Sequence, residues 1–205
     1  MSLRVLSDTD RQSKLADDQS KILTQLDGVS KKFAGASHNA LEDINLEVFQ
    51  KDFLSIVGPS GCGKTSLLKM MCGLIKPTSG KIDWPTSNFQ NSPENPANLS
   101  YVFQEPNLLP WMNVYENIKL PLKIVKEDTY SADEKIYEII NLVGLQGFEG
   151  YYPRQLSGGM SMRVSIARAL VTQPKVLLMD EPFSALDETR RFELKIGRAS
   201  CRERV

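Results

Sequence analysis

Residues 58–65 read Gly58-Pro59-Ser60-Gly61-Cys62-Gly63-Lys64-Thr65, which fits G-x-x-x-x-G-K-[ST], a spacing suited to the phosphates of a nucleotide. Glycines let such a loop turn sharply and aim its N–H groups at one anion, and a following helix adds its positive dipole end. Lys64 then reaches the β- and γ-phosphates, and Thr65 sets its hydroxyl on Mg2+. The competing reading is a glycine-rich turn that carries a lysine. Further on, Val176-Leu177-Leu178-Met179 is an apolar run followed by Asp180 and Glu181. A buried strand there delivers two carboxylates to the mouth of the site, Asp180 to hold Mg2+ through its water shell and Glu181 to polarise the attacking water. The alternative is an ordinary strand end with two solvated acids. Ser157 precedes Gly158 and Gly159 at the start of a helical pattern, so its hydroxyl and the amides behind it form a second anion-binding helix start. One nucleotide does not need two cradles in one chain; a second makes sense if it reaches across to a partner's ATP.

These groups need strands and helices to place them. Residues 22–29 and 40–49 read as strands, the second with Leu46 and Val48 on one face, and 53–57 is a short buried strand leading into the glycine loop. A helix over 66–75 follows, then a turn at Lys76-Pro77-Thr78-Ser79-Gly80. Residues 84–98, rich in Pro, Asn and Ser, form a loop, and 99–103 returns to a strand. From 113 to 145 the pattern is helical, with Ser131 and Glu134 as a candidate capping box and Ile136, Ile139, Ile140 and Val143 at helical spacing. Another helix runs from Ser157 to about Thr172, where Pro174 stops it, and 176–179 is a buried strand. Strands at both ends with helices between them predict an α/β core carrying an inserted helical lobe.

The 205 residues suit one domain, or one domain with a subdomain. Lys plus Arg and Asp plus Glu balance at 25 each, so nothing in the charge points to nucleic acid or an anionic membrane surface. No apolar run approaches the roughly 18 residues of a membrane span. The first twenty residues are polar and read as a flexible leader without a secretion signal. Cys62, Cys72 and Cys201 form no metal-ligand pattern, which suits a reduced cytoplasmic setting.

Taken together these residues resemble the nucleotide-binding subunits of ABC transporters. Leu156-Ser157-Gly158-Gly159-Met160, with Arg163 and Ile166-Ala167-Arg168-Ala169-Leu170, is similar to the ABC signature. Asp180-Glu181-Pro182 and Ser184-Ala185-Leu186-Asp187 resemble its Walker B motif and D-loop. Gln104, in Tyr101-Val102-Phe103-Gln104-Glu105-Pro106, sits where the Q-loop glutamine lies, with a solvated loop amide as the rival reading. Phe33 matches the aromatic that stacks on adenine, with core packing as its rival. The resemblance implies a P-loop NTPase, RecA-like core with an antiparallel β subdomain and an inserted helical subdomain at about 106–160, within an ATP-binding domain spanning 22–195. It implies Glu181, Lys64 and Gln104 as catalytic residues. The nucleotide lies on Phe33, residues 58–65 and Ser66, and on Ser157, Gly158 and Gly159; Mg2+ lies on Thr65, Gln104 and Asp180. ATP and Mg2+ are the cofactors. The implied assembly is a head-to-tail homodimer or pseudo-dimer that drives transmembrane permease subunits, and indirectly serves a solute-binding protein, from the cytoplasmic face of the membrane.

Asn107-Leu108-Leu109-Pro110-Trp111 and Val114-Tyr115-Glu116-Asn117-Ile118 are similar to importers of the nitrate, sulfonate and taurine group, unless Trp111 is a plain packing residue. Soluble ABC proteins and exporters are the alternatives. The compact separation of about ninety residues between glycine loop and signature, and the absence of a basic patch, favour transport over nucleic-acid work. Two departures stand out in the signature helix, Ser161 for a longer polar residue and Met162 for the usual Gln. The family's γ-phosphate histidine has no counterpart, since the lone His38 precedes the glycine loop and reads as an exposed polar residue. Residues 196–205 lack apolar periodicity and resemble the in-frame translation of a sequencing adapter, with a genuine basic tail as the rival reading, so the coding sequence is expected to end near Lys195, with the closing part of the core missing. On that expectation the full-length protein is an ATPase and this polypeptide hydrolyses ATP poorly.

Overall fold

The computed structural model describes residues 4–7, 22–84, 99–126 and 129–182, with residues 4–7 and 129–131 by backbone alone. It divides into two compact units, Met1–Pro96 and Ala97–Val205. The D-loop residues 184–187, most of the expected loop at 84–98 and the tail at 196–205 lie outside the described residues.

In the first unit, β2 (Ile22–Lys31) is the middle strand of an antiparallel sheet, between β3 (Leu41–Phe49) and β5 (Ser79–Asp83). Thr24, Leu26 and Val29 are buried, an alternation broken by one residue at Asp27-Gly28. Gly28 has φ 60, and the register to both neighbours shifts there, so one extra residue is absorbed as a bulge and Val29 still points inward. Leu26 faces Leu46 on one side and Ile82 on the other. The buried Thr24 hydroxyl donates to Asp83 O at 2.9 Å.

Three expectations change in this unit. Ser79 and Gly80 belong to β5 rather than to a turn; Ile82 is the only apolar residue of the strand, so no alternation announces it. The helix after the glycine loop, α1 (Lys64–Met71), is two residues earlier at its start and four shorter at its end. Gly73, at φ 76, donates to Met70 O while Leu74 donates to Lys69 O, closing the helix and leaving Leu74 exposed. Residues 4–7, placed in a flexible leader, form β1 (Arg4–Ser7), paired antiparallel with β4 (Leu54–Val57) from Arg4↔Val57 to Ser7↔Leu54. Backbone donors and acceptors on one edge of β4 find partners there. His38 is exposed in the loop between β2 and β3, as its sequence context implies.

In the second unit, β6 (Leu99–Val102) and β7 (Val176–Met179) pair in parallel, from Leu99↔Val176 to Val102↔Met179. Parallel neighbours need a long crossover, and here it carries α2 (Val114–Ile124), α3 (Thr129–Leu142) and α4 (Gly158–Leu170). Ile118, Leu122, Ile136, Ile140, Val164 and Ala167 meet in the core of this helical lobe. The capping box lies at Asn113 and Glu116 rather than at Ser131 and Glu134. Glu116 N–H donates to Asn113 Oδ1 at 2.8 Å and Asn113 N–H to Glu116 Oε2 at 2.9 Å, whereas Ser131 is already inside α3. Asn117, 0% exposed, accepts from Leu109 N–H and donates to the carbonyls of Leu109, Met112 and Asn113, so it fastens the loop before α2. On the lobe's surface, Lys119 Nζ donates to Tyr115 OH and Asp133 Oδ1, and the Tyr115 hydroxyl donates to the same carboxylate, tying α2 to α3. Among the described residues, no helix is long and apolar enough to cross a membrane.

Candidate nucleotide site

The glycine loop occupies 58–63, between the end of β4 and the start of α1, as its motif requires. Gly63 stands immediately before the helix at φ 100, and a Cβ built there would lie 2.7 Å from both Ala40 O and Leu41 Cδ2. Only glycine fits that backbone and that approach. No side chain caps α1 and no acid occupies its first turn, which suits a helix start meant for an anion. Lys64 Nζ donates to Gly58 O at 2.9 Å and Pro59 O at 3.0 Å, with Cys62 Sγ at 3.9 Å, so the ammonium holds the two flanks of the loop together. Thr65 and Ser66 are half-buried in the first turn. Phe33, two residues past β2, is 45% exposed with Lys31 Nζ 5.3 Å from its ring centroid. It is not a core residue, and nearly half of its surface is left exposed.

The carboxylates, Gln104 and the signature lie in the second unit. Because β6 and β7 run parallel, their carboxyl ends coincide, and the residues just beyond each strand meet. Asp180 N–H donates to Val102 O at 2.9 Å, continuing the ladder past β7. Asp180 is 3% exposed, and Tyr101 OH donates to its Oδ2 at 3.3 Å. One residue on, Glu181 is exposed at φ 47, in the left-handed region, which turns its side chain off the strand path. Gln104 Nε2 donates to Glu181 Oε2 at 3.3 Å. Residues 77 positions apart in sequence are thus brought to one strand end, with the Gln104 amide oxygen left as an acceptor. Hard oxygens from an amide and a buried carboxylate are donor chemistry that a water-shelled Mg2+ accepts.

Ser157 caps α4, its Oγ accepting from Met160 N–H at 3.2 Å. A Cβ at Gly158 would meet nothing within 4 Å, so the helix start is open to an approaching group. The departures from the signature pattern fall differently: Met162 is 0% exposed and packs with Val102, Ile166 and Ala169, and Ser161 is half-buried. Trp111 is 69% exposed and is no packing residue. Two residues take part in ways the spacing of motifs does not announce. Tyr101 holds the buried Asp180, and Arg168 donates from α4 to the carbonyls of Pro106 and Asn107. A tyrosine three residues before Gln104 and a charged residue on a largely buried helix were the available signals.

Residues 41–184 match a protein-family model described as "ABC transporter". The spermidine/putrescine import ATP-binding protein PotA of Fusobacterium nucleatum is 46% identical over 168 residues, 82% of this chain and 44% of that protein. The aliphatic sulfonates import ATP-binding protein SsuB of Bacillus cereus is 43% identical over 172 residues, 83% of this chain and 66% of that protein. The chain therefore spans about half to two thirds of the length of these relatives. Among solved structures, the ATP-binding cassette MJ0796, in a dimeric post-hydrolysis state bound to ADP and Pi, superposes with a TM-score of 0.70 at 31% identity, covering 81% of this chain and 77% of that one. The fold is the P-loop NTPase fold of such cassettes.

Proposed function

Because the chain belongs to the ABC transporter family, we propose that it is the ATP-binding and ATP-hydrolysing subunit of an importer of the nitrate, sulfonate and taurine group. The observation that carries hydrolysis, rather than binding alone, is the meeting of Gln104 with Glu181 at 3.3 Å beside the buried Asp180. Residues 58–65 and Ser66 cradle the phosphates through backbone N–H groups, Lys64 neutralises the β- and γ-phosphates, and Phe33 stacks on the base. Glu181 accepts hydrogen bonding from the attacking water and withdraws its proton, while Gln104 holds that carboxylate in place and senses the γ-phosphate. Thr65, Gln104 and Asp180 are the residues that would hold Mg2+, which would supply charge neutralisation to the phosphates. Ser157, Gly158 and Gly159 complete the ATP site of a second subunit, a role supported by the dimeric cassette MJ0796.

The partners in this reading are a second copy or a paralogous cassette, permease subunits in the membrane and, through them, a solute-binding protein, with this chain peripheral on the cytoplasmic face. The import ATP-binding relatives support it. Their names pair a cationic with an anionic solute at nearly equal identity, so overall likeness of the cassette does not choose the solute. The sulfonate assignment rests on residues 107–111 and 114–118, and reconstitution with a cognate permease tests it: stimulation by sulfonate, taurine or nitrate supports it, and stimulation by spermidine alone refutes it.

For the chain as it stands, Glu181→Gln lowers any Mg2+-dependent ATP turnover by about 10²–10⁴ while binding of a fluorescent ATP analogue persists. Lys64→Ala abolishes that binding. Residual turnover indifferent to Glu181→Gln refutes the catalytic assignment.

A further inference from the structure

Arg168 is a half-buried cation to which the site described above gives no role. Arg168, in the last turn of α4, donates Nη1–H to Asn107 O at 2.9 Å and Nη2–H to Pro106 O at 3.0 Å. Burial pulls its pKa down, yet a guanidinium stays charged at any accessible pH. Both carbonyls belong to the loop that leaves β6 through Gln104, and Asn107 holds φ 46, a left-handed turn that asparagine adopts more readily than most residues with a side chain. Such a turn persists where its surroundings hold it, and the two-pronged bond to Arg168 is such a hold.

The helix that carries Arg168 begins at Ser157, about 16 Å away along its axis at 1.5 Å per residue. Between the two, Met162, Ile166 and Ala169 pack against Val102 at the end of β6. Arg163, five residues before Arg168, donates to Val143 O at 3.0 Å and Gly144 O at 2.9 Å, just past α3. One helix therefore grips the lobe with one arginine and the Gln104 loop with another.

We propose that Arg168 is a positioning residue that ties the helix starting at Ser157 to the loop carrying Gln104. The tie keeps Gln104 at Glu181 and delivers displacement of the helix start to the loop. Its significance for catalysis rests on the function proposed above; its existence does not. A lysine cannot reproduce the fork, because its ammonium is a point charge without a planar pair of N–H vectors.

Hydrogen exchange of the full chain tests it in Arg168→Met, which keeps the apolar stem and removes every donor, and in Arg168→Lys. Amides in 104–109 exchange at least about tenfold faster in Arg168→Met while those in 158–166 keep wild-type rates, and Arg168→Lys lies between. Saturating Mg2+ and a fluorescent ATP analogue slow exchange at 104–109 in the wild type, and Arg168→Met loses that response while binding the analogue within about threefold. Unchanged exchange at 104–109, an equal rise throughout 99–182, or a full nucleotide response in Arg168→Met overturns the proposal. A wild type that binds the analogue without responding at 104–109 overturns it too. A wild type that binds no analogue refutes the nucleotide reading instead, and exchange in the unliganded variants still decides the tie.

Discussion

Gly63 and Gly61 differ in a way that a single methyl group exposes. Gly63→Ala puts Cβ 2.7 Å from Ala40 O and from Leu41 Cδ2 and 2.9 Å from Leu41 Cγ, at a φ of 100; Gly61→Ala, at φ 78, meets nothing within 4 Å. The left-handed backbone costs a non-glycine residue about 1–2 kcal/mol at Gly61. At Gly63 the φ lies further from any well open to an L-residue, costing about 1–3 kcal/mol. The crowding there adds about 1–3 kcal/mol, because Ala40 O is backbone and Leu41, 4% exposed, has no space to turn into. Alanine also narrows the unfolded ensemble, by an amount that cancels between the two variants. Gly63→Ala is therefore destabilised by about 2–6 kcal/mol and Gly61→Ala by about 1–2, a gap of about 1–4. With a urea slope of about 2 kcal/mol/M, the Gly63→Ala midpoint falls about 0.5–2 M below that of Gly61→Ala. Urea titration followed by the emission of Trp84, buried in the same unit, reads it. Coincident midpoints, or a lower one for Gly61→Ala, refute the idea that the loop's last glycine is fixed by packing against β3 rather than by conformation alone.

Two further outcomes follow from the helical lobe. Asn117→Ala leaves the Leu109 N–H and the carbonyls of Leu109 and Met112 without their buried partner, and destabilises the chain by about 3–5 kcal/mol, with exchange rising first at 109–113. Asn117→Ala as stable as the wild type contradicts that accounting. The hydrogen bonds from Lys119 and then Tyr115 hold the Asp133 carboxyl below its ordinary value of 3.8, and Asp133 in turn lifts Lys119 above 10.5. A depressed carboxylate stabilises above its unfolded pKa and loses that contribution as pH falls through the folded value; a raised ammonium stabilises below its unfolded pKa and loses it as pH rises through the folded one. The advantage of the wild type over Asp133→Asn is thus full between these two ordinary values and shrinks as pH falls below 3.8 through the depressed folded value, measured as the difference in unfolding midpoints. A difference that persists unchanged into acid rules out the ion pair as its source.

The elements that could be read directly were those whose burial repeats at a regular interval. Leu46 and Val48 alternate, Ile136, Ile140 and Val143 recur at helical spacing, and the apolar run 176–179 forms β7 as its composition implies. β5 was invisible because Ile82 is its only apolar residue, and its place is set by β2, a partner 56 positions away at Leu26↔Ile82. The misplaced capping box has a similar cause: Ser131 and Glu134 have the right spacing, but so do Asn113 and Glu116, and only the three-dimensional start of each helix separates them. Among the site residues, the glycine loop and the carboxylates were legible because their chemistry demands particular residue types in a row. The Gln104 to Glu181 contact was not, since it depends on β6 and β7 being parallel neighbours. Arg168 signalled only a charge on a largely buried helix and not its partners, because its acceptors are backbone carbonyls and could belong to any residue.

The same distinction shows in the departures at Ser161 and Met162, which leave Ser157, Gly158 and Gly159 at the helix start as they are. The side of α4 that Met162 occupies is turned toward Val102, and full burial of a methionine there contributes about 1.5–3 kcal/mol relative to exposure. A glutamine at that depth would bring an amide needing several partners, and an unsatisfied one costs about 1–3 kcal/mol. The exchange of Gln for Met therefore strengthens the seat of the helix on β6 without touching its first turn, where Ser157 Oγ accepts from Met160 N–H and Gly158 leaves space. Under the proposed tie, the groups that respond to an anion at Ser157 are those fastened at the far end of the helix, the carbonyls of Pro106 and Asn107 held by Arg168.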